Sequence, residues 1–196
     1  MTASRAASGQ RPNVAKSGKK HDMDLSPASH ESMRPPAPLR LLIGSFTAAL
    51  LLNLLPWGGV ALQMIPDFVL LMLLYWAVHE PRSIGQGLGF LLGLLMDVAD
   101  SALLGQHALM YVAAVFLVQL LRVRVLRLSL LAQALHIGAI LLFAQCISVS
   151  LNLSLGRELP GAWMIVAPIV GAVLWPALSL ILGLPRLRRG AGPNIS

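Results

Sequence analysis

Two aspartates, Asp67 and Asp97, stand inside long apolar stretches of this 196-residue chain, and Asp100 follows Asp97 by about one turn. A mid-helix Asp costs about 2.5–3.5 kcal/mol to place in a bilayer, so such a side chain faces protein or a wet cavity. Two carboxylates sharing a water could carry out intramembrane aspartyl hydrolysis, and a relay of them could pass protons. Neither Asp has the context such enzymes use: no Gly-x-Gly-Asp and no Asn-x-x-Asp pattern surrounds either. The expected role is therefore structural, each carboxylate accepting hydrogen bonds from neighbouring helix ends or polar side chains.

The other polar groups invite equally plain readings. Gln106 and His107 are placed to cap the start of an apolar segment. Gln133, His136 and Gln145 recur down a later one and are expected to bond between helices, with a ligand pocket there as the alternative. Cys146 is the single cysteine, so neither a disulfide nor a Cys-based metal site is available, and it reads as a small buried apolar residue. No Ser-His-Asp, HExxH, CxxC or P-loop arrangement is present. No catalytic residue, cofactor or metal is expected, and any energy coupling would come from a partner.

These residues need helices in lipid to position them. Apolar residues make up 56% of the chain and charged residues 12%, with mean hydropathy +0.73; a soluble domain carries about 25% charge to wet its surface. A spanning helix needs ~20 apolar residues. The sequence predicts an all-α polytopic membrane protein, a bundle of about six spans at 39–55, 60–78, 84–103, 107–121, 128–155 and 162–184. Residues 1–38, rich in Pro, Ser and Ala, cannot bury enough apolar surface to offset ordering and are expected to be a disordered basic tail. Residues 185–196 form a short C-terminal tail. The fourth span is short, and a basic loop at 122–127 is expected to follow it. Trp57, Trp76, Trp163 and Trp175 are expected near span ends, where interfacial belts favour them.

The net charge of +7 does not form the stripe that a nucleic-acid binder needs. With six spans, fourteen of the fifteen Lys and Arg residues fall on one side, leaving only Arg157 on the other. Nine of those fourteen remain when residues before position 30 are set aside. By the positive-inside rule both termini are cytoplasmic.

The third span carries Gly85, Gly89 and Gly93 at intervals of four, leading to Asp97. Small residues at this spacing let helices approach closely in lipid, where packing drives association. This ridge makes the third span the expected centre of the bundle.

Pro66-Asp67-Phe68 leading to Leu73-Leu74-Tyr75-Trp76 and Pro81, then the run from Gly89 to Asp97, then Leu104-Gly105-Gln106-His107-Ala108-Leu109-Met110-Tyr111, resembles the rod shape-determining protein MreD family over residues 40–184. The resemblance implies a non-enzymatic bacterial inner-membrane subunit of the cell-elongation complex. Its partners would be the bitopic protein MreC and, around that pair, MreB filaments and the peptidoglycan polymerase and transpeptidase. Membrane lipid is a further contact and nucleic acid is not. Candidate structural or interaction residues are Pro66, Asp67, Gly85, Gly89, Gly93, Asp97, Gly105, His107 and Tyr111. By fold the family also resembles the substrate-binding subunits of energy-coupling-factor transporters, so a small-molecule transporter subunit is the alternative. An aspartyl hydrolase using Asp67 and Asp97 is the third reading.

Overall fold

The computed structural model describes residues 38–59, 64–157 and 161–190, of which 162, 163 and 184–190 are described by their backbone alone. The expected disordered tail lies outside the described residues, apart from Pro38. Helix α1 is Leu39–Asn53, α2 Phe68–His79, α3 Gln86–Ala99, α4 Gln106–Arg127 and α5 Leu130–Ser154. A single 3₁₀ turn, Ala162–Ile165, leads into α6, Val166–Gly190. The described elements are all helical, as the composition requires of a chain that must satisfy its backbone without water.

Among the described residues, three segments are long and apolar enough to cross a membrane: Gln106–Arg127, Leu130–Ser154 and Val166–Gly183. Twenty-two residues at 1.5 Å each span about 33 Å, enough for a hydrocarbon layer of about 30 Å. Helices α1, α2 and α3 are apolar but shorter. The fold is that of an all-helical membrane protein.

Three boundaries differ from the sequence reading. Within the second span, expected over 60–78, α2 begins only at Phe68, which puts Asp67 at the N-cap and not inside the helix. The expected loop at 122–127 is the last part of α4. Arg122 Nε donates to the carbonyl of Val78 at 2.7 Å, satisfying an acceptor in the last turn of α2. A residue that the charge pattern assigns to a loop therefore stays helical, its long stem laid along apolar surface. Helix α6 likewise continues past Pro185 to Gly190.

The centre of the bundle is α2 and not the third span. Every residue from Val69 to Val78 is buried, with Leu73, Leu74, Trp76 and Ala77 at 0% exposure. This helix packs on α1, α4 and α6. Its sequence, Phe-Val-Leu-Leu-Met-Leu-Leu-Tyr-Trp-Ala-Val-His, carries large apolar groups around its circumference, so it can fill space on every side. Helix α3 instead has two faces. Gly89, Gly93, Met96 and Asp97 are buried, while Phe90, Leu91, Leu95 and Val98 are exposed where lipid would lie. A glycine ridge specifies one close contact, which does not make its helix central.

Side-chain placement corrects two further expectations. Trp76 and Trp175 are fully buried core residues and do not belong to an interfacial belt. Trp76 Nε1 donates to Ser45 Oγ at 2.9 Å and Trp175 Nε1 to Gln133 Oε1 at 3.3 Å, so each indole finds the partner that burial demands. Trp57 keeps an intermediate exposure and donates to the carbonyl of Leu52. Cys146 is exposed on α5, a position that lipid tolerates as readily as a core would because the thiol is weakly polar.

Candidate functional site

Four helix ends meet around the two aspartates. Gly105 is the N-cap residue of α4, and its φ of 99° suits glycine because a Cβ is strained in the left-handed region. A glycine has no side chain to cap the orphan N–H groups of the first turn. Asp97, at the other end of the α3–α4 connection, supplies the missing acceptor. Its Oδ2 accepts from the backbone N–H of Gly105 and its Oδ1 from that of His107, both at 2.7 Å. The same Oδ1 lies 2.9 Å from His107 Nδ1. An ionised carboxylate only accepts, so Nδ1 carries the proton in that contact. His107 Nε2 faces Asp100 Oδ2 at 3.6 Å.

The α3–α4 crossing brings Asp97 within reach. A Cβ built on Gly93 would lie against the backbone of Ala108, and 2.7 Å from the carbonyl carbon of His107. Only glycine permits that approach. At Gly89 a Cβ would meet Val115 Cγ2 at 3.4 Å and Leu73 Cδ2 at 3.5 Å, which is ordinary contact. Gly85 has nothing within 4 Å and serves as the N-cap residue of α3. The ridge read from sequence therefore narrows to Gly93, with Gly89 beside it.

Asp67 performs the equivalent task for α2. It is the N-cap residue, following buried Pro66, and its Oδ1 accepts from Leu70 N–H at 2.9 Å. The same oxygen accepts from Asn53 Nδ2 at 2.8 Å, while Asn53 Oδ1 accepts from the N–H of Phe68 at 2.9 Å. This reciprocal pair ties the last residue of α1 to the first turn of α2. The remaining oxygen, Oδ2, accepts from the hydroxyl of Tyr111, which is fully buried on α4. His107 and Tyr111 are four residues apart on α4, their rings edge-to-face at 6.1 Å, so the two carboxylate clusters adjoin.

Of the sequence candidates, Pro66, Asp67, Gly93, Asp97, Gly105, His107 and Tyr111 come together at this end of the bundle. Gly85 stands apart, and Gly89 belongs to the α3 packing face. Gln106 is the first residue of α4 and does not cap it; it is buried and donates from Nε2 to Ser148 Oγ on α5 at 2.9 Å. Of the three α5 residues singled out from the sequence, Gln133 bonds across to α6. His136 bonds back to Ala132 in its own helix, and Gln145 lines a small cavity.

Sequence reasoning missed Asn53 and Arg122. The signal for Asn53 was an amide three residues before Pro56 at the end of a span, where helix-end carbonyls and a following N-cap need partners. The signal for Arg122 was an arginine continuous with an apolar helix.

The cavity lies beside Asp67, bounded by Pro66, Leu70, Met110, Leu141, Gln145 and Pro168, and holds about 40 Å³. That is room for about one or two waters, well below the ~300 Å³ at which ligand pockets begin. Among the described residues, no group of three His, Cys, Asp or Glu side chains could hold a metal ion.

The family model for the rod shape-determining protein MreD matches residues 37–183, the whole bundle short of its C-terminal end. The chain belongs to the MreD family. A rod shape-determining protein MreD from Haemophilus influenzae is 28% identical over 142 residues, covering 72% of this chain and 87% of that one. No solved structure matches. Within this MreD-family chain the match covers every residue of the cap network, from Asn53 to Tyr111.

Proposed function

We propose that this protein is a non-enzymatic inner-membrane subunit of the bacterial cell-elongation complex, which binds MreC and helps maintain rod shape by organising lateral peptidoglycan synthesis. The observation that carries this reading is the family match across 37–183. The geometry adds support. Both intramembrane carboxylates are engaged by backbone N–H groups and by side chains of other helices, so they act as fasteners between α1, α2, α3 and α4. A rigid bundle is what a scaffold must offer to a bitopic partner, because association in lipid rests on shape complementarity between preformed helix surfaces.

In this reading the chain crosses the membrane six times with both termini in the cytoplasm. MreC contributes its transmembrane helix, and MreB filaments with the peptidoglycan polymerase and transpeptidase work around the pair. The small cavity beside Asp67 gives little support to the transporter alternative, because a vitamin-sized ligand needs several times its volume. Depletion in a rod-shaped host tests the proposal. Cells should round up as lateral wall insertion becomes disorganised, and affinity purification in detergent should recover MreC. Cells that remain rods with normal wall insertion would sink the idea.

A further inference from the structure

A groove runs between α1 and α3, lined on α3 by Leu88 and Leu92, which flank the face that carries Gly89 and Gly93. Helix α1 packs on α2, and α3 packs on α4, which leaves a gap between the two. Ile43, Phe46 and Leu50 form one wall, Leu88 and Leu92 the other, and Val69 of α2 the floor; the groove holds about 260 Å³. The rim is open, with Ile43 54% exposed.

One end of this apolar groove is basic. Arg40 lies in the first turn of α1, three residues before Ile43 and on the same helical face. Arg82 lies in the turn between α2 and α3, six residues before Leu88. Asn53 at the end of α1 bonds to the first turn of α2, and Ser45 in mid-α1 bonds to Trp76, so the two helices run antiparallel and Arg40 and Arg82 lie toward the same end of the pair. Both are exposed. Glu80, in the same turn as Arg82, is half-buried and already engaged. Beside them Gly44 and Gly87 leave open space, with nothing within 4 Å of where a Cβ would stand.

The dimensions and the charge select the occupant. A crossing helix, about 10–12 Å wide, would insert only its side chains into a groove of this size. A single acyl chain is thin enough to lie along it, and basic pockets beside membrane helices suit anionic headgroups. We propose that the groove is a site for one anionic phospholipid, an acyl chain lying between α1 and α3 and the phosphate at Arg40 and Arg82. The inference rests on the chain's membrane embedding and is independent of its role in cell elongation.

The full-length protein in mild detergent, offered equal amounts of phosphatidylglycerol and phosphatidylcholine with identical chains, provides the test, with retained lipids counted by native mass spectrometry. The wild type should retain phosphatidylglycerol about tenfold over phosphatidylcholine. Combined R40Q and R82Q substitutions should reduce that preference to about twofold or less, while R124Q and R127Q together should leave it intact. Leu92→Trp, which fills the groove, should lower retention of both lipids in a protein with unchanged helical circular dichroism. Equal retention by the wild type overturns the proposal, as does full preference in the R40Q/R82Q variant. A photo-crosslinker at Ile43 that captures a protein helix in native membranes, and no lipid, also overturns it.

Discussion

Asp97 holds the start of a helix to which it does not belong. Its two oxygens serve the N–H groups of Gly105 and His107 and the ring of His107, and the side chain is buried. Asp97→Ala leaves these donors without an acceptor and removes a cap, which should cost about 3 kcal/mol and lower the thermal unfolding midpoint in detergent. Asp97→Asn keeps one acceptor oxygen but turns an NH₂ toward a backbone N–H, so about half that loss is expected. Function in a shape-complementation assay should track stability across the two variants. A catalytic carboxylate would behave differently: the Asn variant would be inactive even while well folded.

At the scale of elements, the α3–α4 pair depends on one glycine. Gly93 faces the Ala108 backbone with no space for a methyl group, whereas Gly87, six residues earlier in the same helix, faces open space. Gly93→Ala should force the helices apart and cost about 1–3 kcal/mol by overpacking, pulling Asp97 away from the α4 start. Gly87→Ala should be neutral or stabilise by up to about 1 kcal/mol, because alanine is the better helix former. Unfolding midpoints of the two variants in one detergent check the contrast. A similar loss for both would show that propensity, and not close approach, controls this pair. Helix α2 illustrates a different rule. It has no small-residue motif, yet it is the element from which water and lipid are most completely excluded, because its apolar groups point in all directions.

For the whole molecule, the six-span reading places both termini in the cytoplasm. A fluorescent reporter that matures only in the cytoplasm should glow when fused to either end, and a periplasm-dependent phosphatase fused there should be inactive. One active phosphatase fusion would require an odd number of crossings. On that reading the capped ends of α2 and α4, tied to one another through His107 and Tyr111, would lie on the outer side, and Arg40 and Arg82 on the inner side.

The sequence alone determined the class of this protein. Hydropathy, low charge and span-length apolar runs follow from the bilayer's demand for apolar, internally bonded segments, and those can be counted residue by residue. It also located Asp67 and Asp97 as anomalies, because a carboxylate in an apolar run is costly wherever it finally points. Only the tertiary structure decided which donors those carboxylates serve. The partners of Asp67 come from α1, α2 and α4, up to 44 positions away in sequence, and periodicity carries no information about such pairings. The same limit explains the misplaced centre. Gly85, Gly89 and Gly93 look equivalent on a helical wheel, yet a neighbouring backbone occupies the space beside Gly93 and leaves Gly85 open. Which face meets a neighbour depends on how the other helices cross it, and that is settled by packing shape after the helices exist.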